Sequence, residues 1–83
     1  MEGFKRGMLA RSKAGHDAGM IYVIIDTDDA YVYLADGRIR TLDKLKKKKK
    51  RNVQLICREY DLTDVKDADI RHLLKIHNKE EKK

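Results

Sequence analysis

Residues 20–26 confine what this chain can become. Ile21, Tyr22, Val23, Ile24 and Ile25 are consecutive, and β-branched and aromatic residues in such a run fit a pleated strand better than a helix. Alternation places Ile21, Val23 and Ile25 on one face and Tyr22 and Ile24 on the other, so both faces are apolar and the strand is a buried one. A chain of 83 residues buries only a modest part of its unfolded surface and has room for one small core.

Just before this strand, Gly15-His16-Asp17-Ala18-Gly19 is a step bracketed by glycines, which can supply the positive φ of a tight reversal. The spacing predicts a loop over residues 12–19. An earlier strand is expected within residues 2–11, where Phe4, Met8 and Ala10 alternate and Gly7 marks a bend. Downstream, Asp26-Thr27-Asp28-Asp29 is a turn by composition, because Asp side chains accept hydrogen bonds from the backbone ahead of them. Residues 30–35 form a second strand, with Val32 and Leu34 on one face and Tyr31 and Tyr33 on the other. Asp36-Gly37 then favours a two-residue primed turn and predicts a hairpin onto a strand over residues 38–42. Residues 52–57 read as the last strand, with Val53, Leu55 and Cys57 on one face. Short strands at this spacing argue for a small, strongly bent sheet or barrel.

The final third changes period. Ile70, Leu73, Leu74 and His77 recur at i, i+3, i+4 and i+7, one face of a helix with Asp67, or earlier Thr63, as its N-cap. His77 reads as a charge partner near the helix end and His72 as a surface residue. The expected organisation is a barrel over residues 1–60 that includes a basic loop at 44–51, a C-terminal helix within 61–78 packed on it, and a charged tail at 79–83.

The net charge of +6 has a narrow origin. Residues 1–43 carry six Lys or Arg against seven Asp or Glu, residues 44–51 carry seven basic residues and no acid, and residues 52–83 carry seven of each. Such a run opposes compact structure by self-repulsion, which predicts a solvated loop. Clustered ammonium groups also suit a polyanion. About seven phosphate contacts would make log K fall against log salt with a slope of roughly −5 on a single strand and about −6 on a duplex. Lysine lacks arginine's planar fork, so backbone contact is favoured over base readout. A solvated linker, a nuclear-import signal and a patch for anionic membranes are the competing readings of such a run.

Several function classes find no support. Cys57 is the single cysteine, which excludes an intramolecular disulfide and a four-cysteine zinc site and fits a reducing compartment. Its apolar flank, Leu55-Ile56, predicts a small buried or half-buried hydrophobe. Residues 1–6 lack the apolar core of a signal peptide, and no run approaches the roughly 18 apolar residues of a membrane span, so a soluble, cytoplasmic chain is expected. Asp26, Asp28 and Asp29 lack the glycine and distant glutamate of a calcium loop. His16-Asp17 has no nucleophile at a meaningful offset, and the spacing of His72 and His77 is off the i, i+4 metal pattern. The expectation is a binding protein, not an enzyme, without cofactor, metal or small-molecule substrate, and monomeric when free.

Lys13-Ala14-Gly15-His16-Asp17-Ala18-Gly19, with Gly7 before it and the strand after it, resembles the KOW motif. In that family a glycine-containing loop between two strands of an SH3-like barrel contacts RNA or another protein. The likeness continues through Val23-Ile24-Ile25-Asp26, the acidic turn, Leu34-Ala35-Asp36-Gly37 and the basic stretch, over residues 4–56. The order of parts is similar to the KOW-containing large-subunit ribosomal proteins of archaeal and eukaryotic type, and to small bacterial KOW-domain RNA-binding proteins related to them. The sequence departs from the pattern where Met8 follows Gly7 in place of an acid, and where Ala18 and Met20 flank Gly19 in place of basic residues.

The resemblance implies a mostly β, SH3-like barrel of about five strands with one C-terminal helix. It also implies an RNA-binding protein of the ribosome or associated with it, with ribosomal RNA as partner and ribosomal proteins as neighbours. The RNA-binding candidates are Arg11, Lys13, Gly15, His16 and Gly19 around the loop, Arg38 and Arg40 on the hairpin, and Lys44, Lys46, Lys47, Lys48, Lys49, Lys50 and Arg51 in the basic run. Tyr31 and Tyr33 are either base-stacking groups or cross-strand packing partners. The alternative function is a KOW-type protein-interaction module of the transcription or translation machinery.

Overall fold

The computed structural model describes residues 3–81. Five strands, β1 (Leu9–Ser12), β2 (Ile21–Thr27), β3 (Tyr31–Ala35), β4 (Lys46–Lys49) and β5 (Val53–Ile56), precede one helix, α1 (Asp67–Glu81). All neighbouring strands are antiparallel, in the order β4-β3-β2-β1-β5. A 3-10 turn, Lys50–Asn52, joins the two edge strands directly. Three residues span at most about 11 Å, so the sheet must curl until its edges approach. The result is a small SH3-like barrel with a C-terminal helix.

Both faces of β2 are used, as its doubly apolar alternation requires. Tyr22 and Ile24 join Ala10, Val32, Leu34 and Val53 inside the curl. Val23 joins Leu9 and Ala35 on the outer face, where Leu62 and Ile70 cover them with Leu73 and Leu74 packed alongside. The helix therefore packs on the barrel by the predicted stripe. A bulge between Ile24 and Asp26 keeps this alternation compatible with the acidic turn: it pairs Asp26 with Tyr33 on the outer face. Regular pairing would set Asp26 against Val32, which is fully buried. The turn itself is held as composition suggested, with Asp28 Oδ1 accepting from the amides of Ala30 (3.1 Å) and Tyr31 (2.8 Å).

Two sequence expectations fail here. Residues 38–42 are not a strand, and Asp36-Gly37 does not close a hairpin onto them. Gly37 does adopt a positive φ of 79°. However, Asp36 folds its carboxylate back, and Oδ1 accepts from the amides of Arg38 and Arg40, both at 2.9 Å. Those amides are then lost to any ladder. The segment docks on the helix instead: Arg71 Nη1 donates to the Gly37 carbonyl at 2.6 Å and the Leu42 amide to Asp67 Oδ1 at 2.8 Å.

The missing strand is supplied by the lysine run, which is β4 and not a solvated loop. A strand turns alternate side chains to opposite faces, so self-repulsion along the run is divided between two surfaces. Each surface compensates its lysines. Lys47 Nζ lies 4.3 Å from the centre of the Tyr31 ring on the outer face, and Lys46 and Lys48 meet Asp17 on the inner one.

The helix starts at Asp67, later than residue 61, and Asp67 is not its own cap, since its carboxylate serves Leu42. Asp69 Oδ2 accepts from the Lys66 amide at 2.9 Å, one half of a capping box. His77, expected as a charge partner near the helix end, is buried, 3% exposed. Cys57, expected to be buried or half-buried, is exposed, because β5 ends at Ile56 and the Arg58 amide turns back to the Ile56 carbonyl.

Candidate nucleic-acid interface

Residues 13–20 form the predicted loop between β1 and β2. Gly15 and Gly19 adopt φ of 87° and 93°, and the Gly19 amide donates to Ser12 O (2.8 Å) while the Ser12 amide donates to Met20 O (2.9 Å). At its centre Asp17 gathers four side chains. Ser12 Oγ and Lys48 Nζ donate to Oδ1 at 2.9 and 3.0 Å, Tyr22 Oη donates to Oδ2 at 2.9 Å, and Lys46 Nζ lies 3.6 Å from Oδ2. Lys48 also donates to the Ala14 carbonyl at 2.9 Å. One carboxylate thus fastens the loop to β1, β2 and the far edge strand β4. Burial pushes the Asp17 carboxyl up, but the bonds from Lys48, Ser12 and Tyr22 and the charge of Lys46 outweigh it and hold it well below the usual carboxylate range. Burial, followed by the bond to Asp17, pushes the Tyr22 hydroxyl up to about 12.

This arrangement sorts the predicted binding residues. Lys46 and Lys48 face inward and are engaged by Asp17, with side chains 26% and 12% exposed. Lys47 and Lys49 face outward with Tyr31 and Tyr33 across the ladder, where Lys47 pairs Tyr33 and Lys49 pairs Tyr31. Lys44 and Arg51 are exposed at either end of β4. Ala30, Tyr31, Lys49 and Arg51 line a shallow hollow of about 430 Å³. Lys50 is half-buried, its ammonium 5.7 Å from the centre of the Phe4 ring. Tyr33 Oη donates to Asp28 Oδ2 at 2.7 Å; that bond, foremost, holds the Asp28 carboxyl below and the Tyr33 hydroxyl above their ordinary values.

In the loop, Lys13, His16 and Gly19 are exposed, whereas Arg11 is half-buried on β1. Arg38 is exposed and Arg40 half-buried in the 36–40 turn, away from β4, so the two do not share a hairpin surface with Tyr31 and Tyr33. Sequence reasoning missed two things. It gave Asp17 no tethering role, although its partners lie on three strands. It also left Arg71, His72 and Lys75 out of the binding set, and these line an open groove of about 890 Å³ with Arg11, Gly19 and Arg38. The i, i+4 spacing of Arg71 and Lys75 beside the apolar stripe was the available signal.

Among the described residues no group of three or more His, Cys, Asp or Glu is placed to hold a metal ion, and no helix is long and apolar enough to cross a membrane. No protein-family model matches the chain, and no curated protein matches it.

Proposed function

We propose that the protein binds RNA, ribosomal RNA in particular, as a cytoplasmic component or associate of the ribosome, and that it does so in the manner of the KOW proteins its loop resembles. The observation that carries this reading is the outer surface of β3 and β4. Lys47 and Lys49 stand beside Tyr31 there, with Arg51 across the hollow, and no acid lines that hollow. Cations around an aromatic ring suit a sugar-phosphate chain with a stacked base.

Tying Lys46 and Lys48 to Asp17 and setting half-buried Lys50 beside the Phe4 ring removes three cations from the expected contact set. Lys44, Lys47, Lys49 and Arg51 remain as outward groups. Four phosphate contacts on this surface contribute roughly −3 to the slope of log K against log salt on a single strand. Anisotropy titrations of a labelled RNA single strand at several salt concentrations measure it. The triple variant Lys47→Gln, Lys49→Gln, Arg51→Gln is expected to flatten the slope by about 2. A slope near zero for the unmodified protein, or no binding at low salt, overturns the proposal.

A further inference from the structure

The two ends of the glycine loop differ in what surrounds them. At Gly15 a β-carbon would lie 3.6 Å from both Asp17 Oδ1 and Lys48 Nζ, so this end is occupied by the loop's own tether. At Gly19 no atom beyond the residue itself and its two chain neighbours lies within 4 Å of that position. Bare backbone at Gly19 therefore opens into the groove described above, whose other wall is α1.

The groove is suited to an anionic strand. Arg38 and Lys75 are exposed on opposite walls, and Arg71, which uses Nη1 to hold the Gly37 carbonyl, has further N–H donors on its guanidinium. Asp36 is the only acid among its lining residues, and it is 9% exposed with Oδ1 accepting two backbone amides. Met20, 48% exposed, and Leu74 give the lining an apolar patch against which a base or ribose can rest. Along β2 the groove begins at Ile21, and the Tyr33 surface begins opposite Asp26. Five residues of strand separate these points, at most about 17 Å, a distance that a few nucleotides cover.

We infer that a single-stranded RNA segment enters the groove between the Gly19 end of the loop and α1, with its phosphates on Arg38, Arg71 and Lys75. This second contact surface rests on the RNA-binding reading above and adds a path to it: the strand passes from the β4 surface to the helix.

Two variants test it with a labelled oligouridylate as probe. Arg38→Gln with Lys75→Gln removes two exposed cations, and is expected to flatten the salt slope by about 1.4 and weaken low-salt binding roughly 10- to 100-fold. Ala68→Glu places a carboxylate in the groove within the first turn of α1, where negative charge favours the helix. Its expected result is weaker RNA binding with an unchanged thermal transition. If both variants bind like the unmodified protein while the β4 triple variant loses affinity, the groove is not an RNA path and this inference alone falls. If the unmodified protein does not bind the probe at low salt, the RNA-binding reading falls and the groove inference with it.

Discussion

Asp17→Asn is expected to destabilise the fold by about 2–4 kcal/mol and, at low salt, to strengthen RNA binding. The destabilisation follows from what the carboxylate holds. Lys48 and Asp17 have side chains only 12% and 15% exposed, and removing one member of such a pair leaves the other charge desolvated without compensation. The amide can keep a bond from Ser12 or Tyr22 but cannot neutralise Lys46 and Lys48. Those two ammonium groups stay on the inward face of β4 but lose their counter-charge, so the net positive charge rises by one and long-range attraction to a polyanion increases. Urea denaturation reads the first effect and the salt slope the second. A variant that loses stability with an unchanged slope would assign Asp17 to the fold alone.

The same carboxylate shapes the pH profile. The folded pKa of Asp17 lies below its ordinary 3.8, so its contribution is fully present above about pH 4. It fades as pH falls from there towards the folded value. Tyr22 works in the opposite direction: its folded value of about 12 lies above the ordinary 10.0, so its contribution holds below pH 10 and fades as pH rises towards 12. Stability measured against pH should therefore show a plateau between these limits. Asp17→Asn should flatten the acid limb, with a small residue from Asp28 and Asp61, whose carboxyls are held low chiefly by hydrogen bonds from Tyr33 and Thr63. An acid limb unchanged in the variant would contradict the assignment.

Gly7→Ala is expected to cost about 3 kcal/mol or more, a large share of the 5–15 kcal/mol typical of small domains. Gly7 has φ of 96°, and a β-carbon there would lie 2.5 Å from the Tyr60 carbonyl oxygen. Neither chain can easily withdraw, because the Gly7 amide donates to Ile24 O at 2.9 Å and the Tyr60 amide donates to Gly7 O at 2.8 Å. Thermal melting should show a fall of about 12 °C or more. Gly19→Ala is the control, since it has a similar φ of 93° with open space around it, and should lose only the roughly 1–2 kcal/mol of the strained backbone. Equal losses at the two positions would mean that the segment around Tyr60 yields.

What the sequence disclosed and what it hid follow from where the determining contacts lie. β2 was readable because its apolar residues on both faces are their own evidence, and the helix stripe Ile70, Leu73, Leu74 because its period is local. Gly37 likewise announced its turn. The strand expected after it failed because Asp36 captures the amides of Arg38 and Arg40, a choice the dipeptide does not encode. β4 was hidden for a different reason: a run of one residue type has no alternation to read. Its strand character comes from Asp17, 31 residues from Lys48, and from the ring of Tyr31. The groove on α1 was hidden because Arg71 and Lys75 look like any solvated helix face until the 36–40 turn is laid beside them.

β4 pairs with β3 on one side only. Its other side carries backbone donors and acceptors that no strand ladder takes up, the kind of template on which a second molecule can add a strand and begin an aggregate. Here every residue along that template is lysine. A second copy aligning its own β4 there would set ammonium against ammonium at each step, and even the inward lysines offer it no apolar surface. The charge proposed to draw an anionic strand thus also opposes the pairing of two copies at this edge, and salt weakens both effects together.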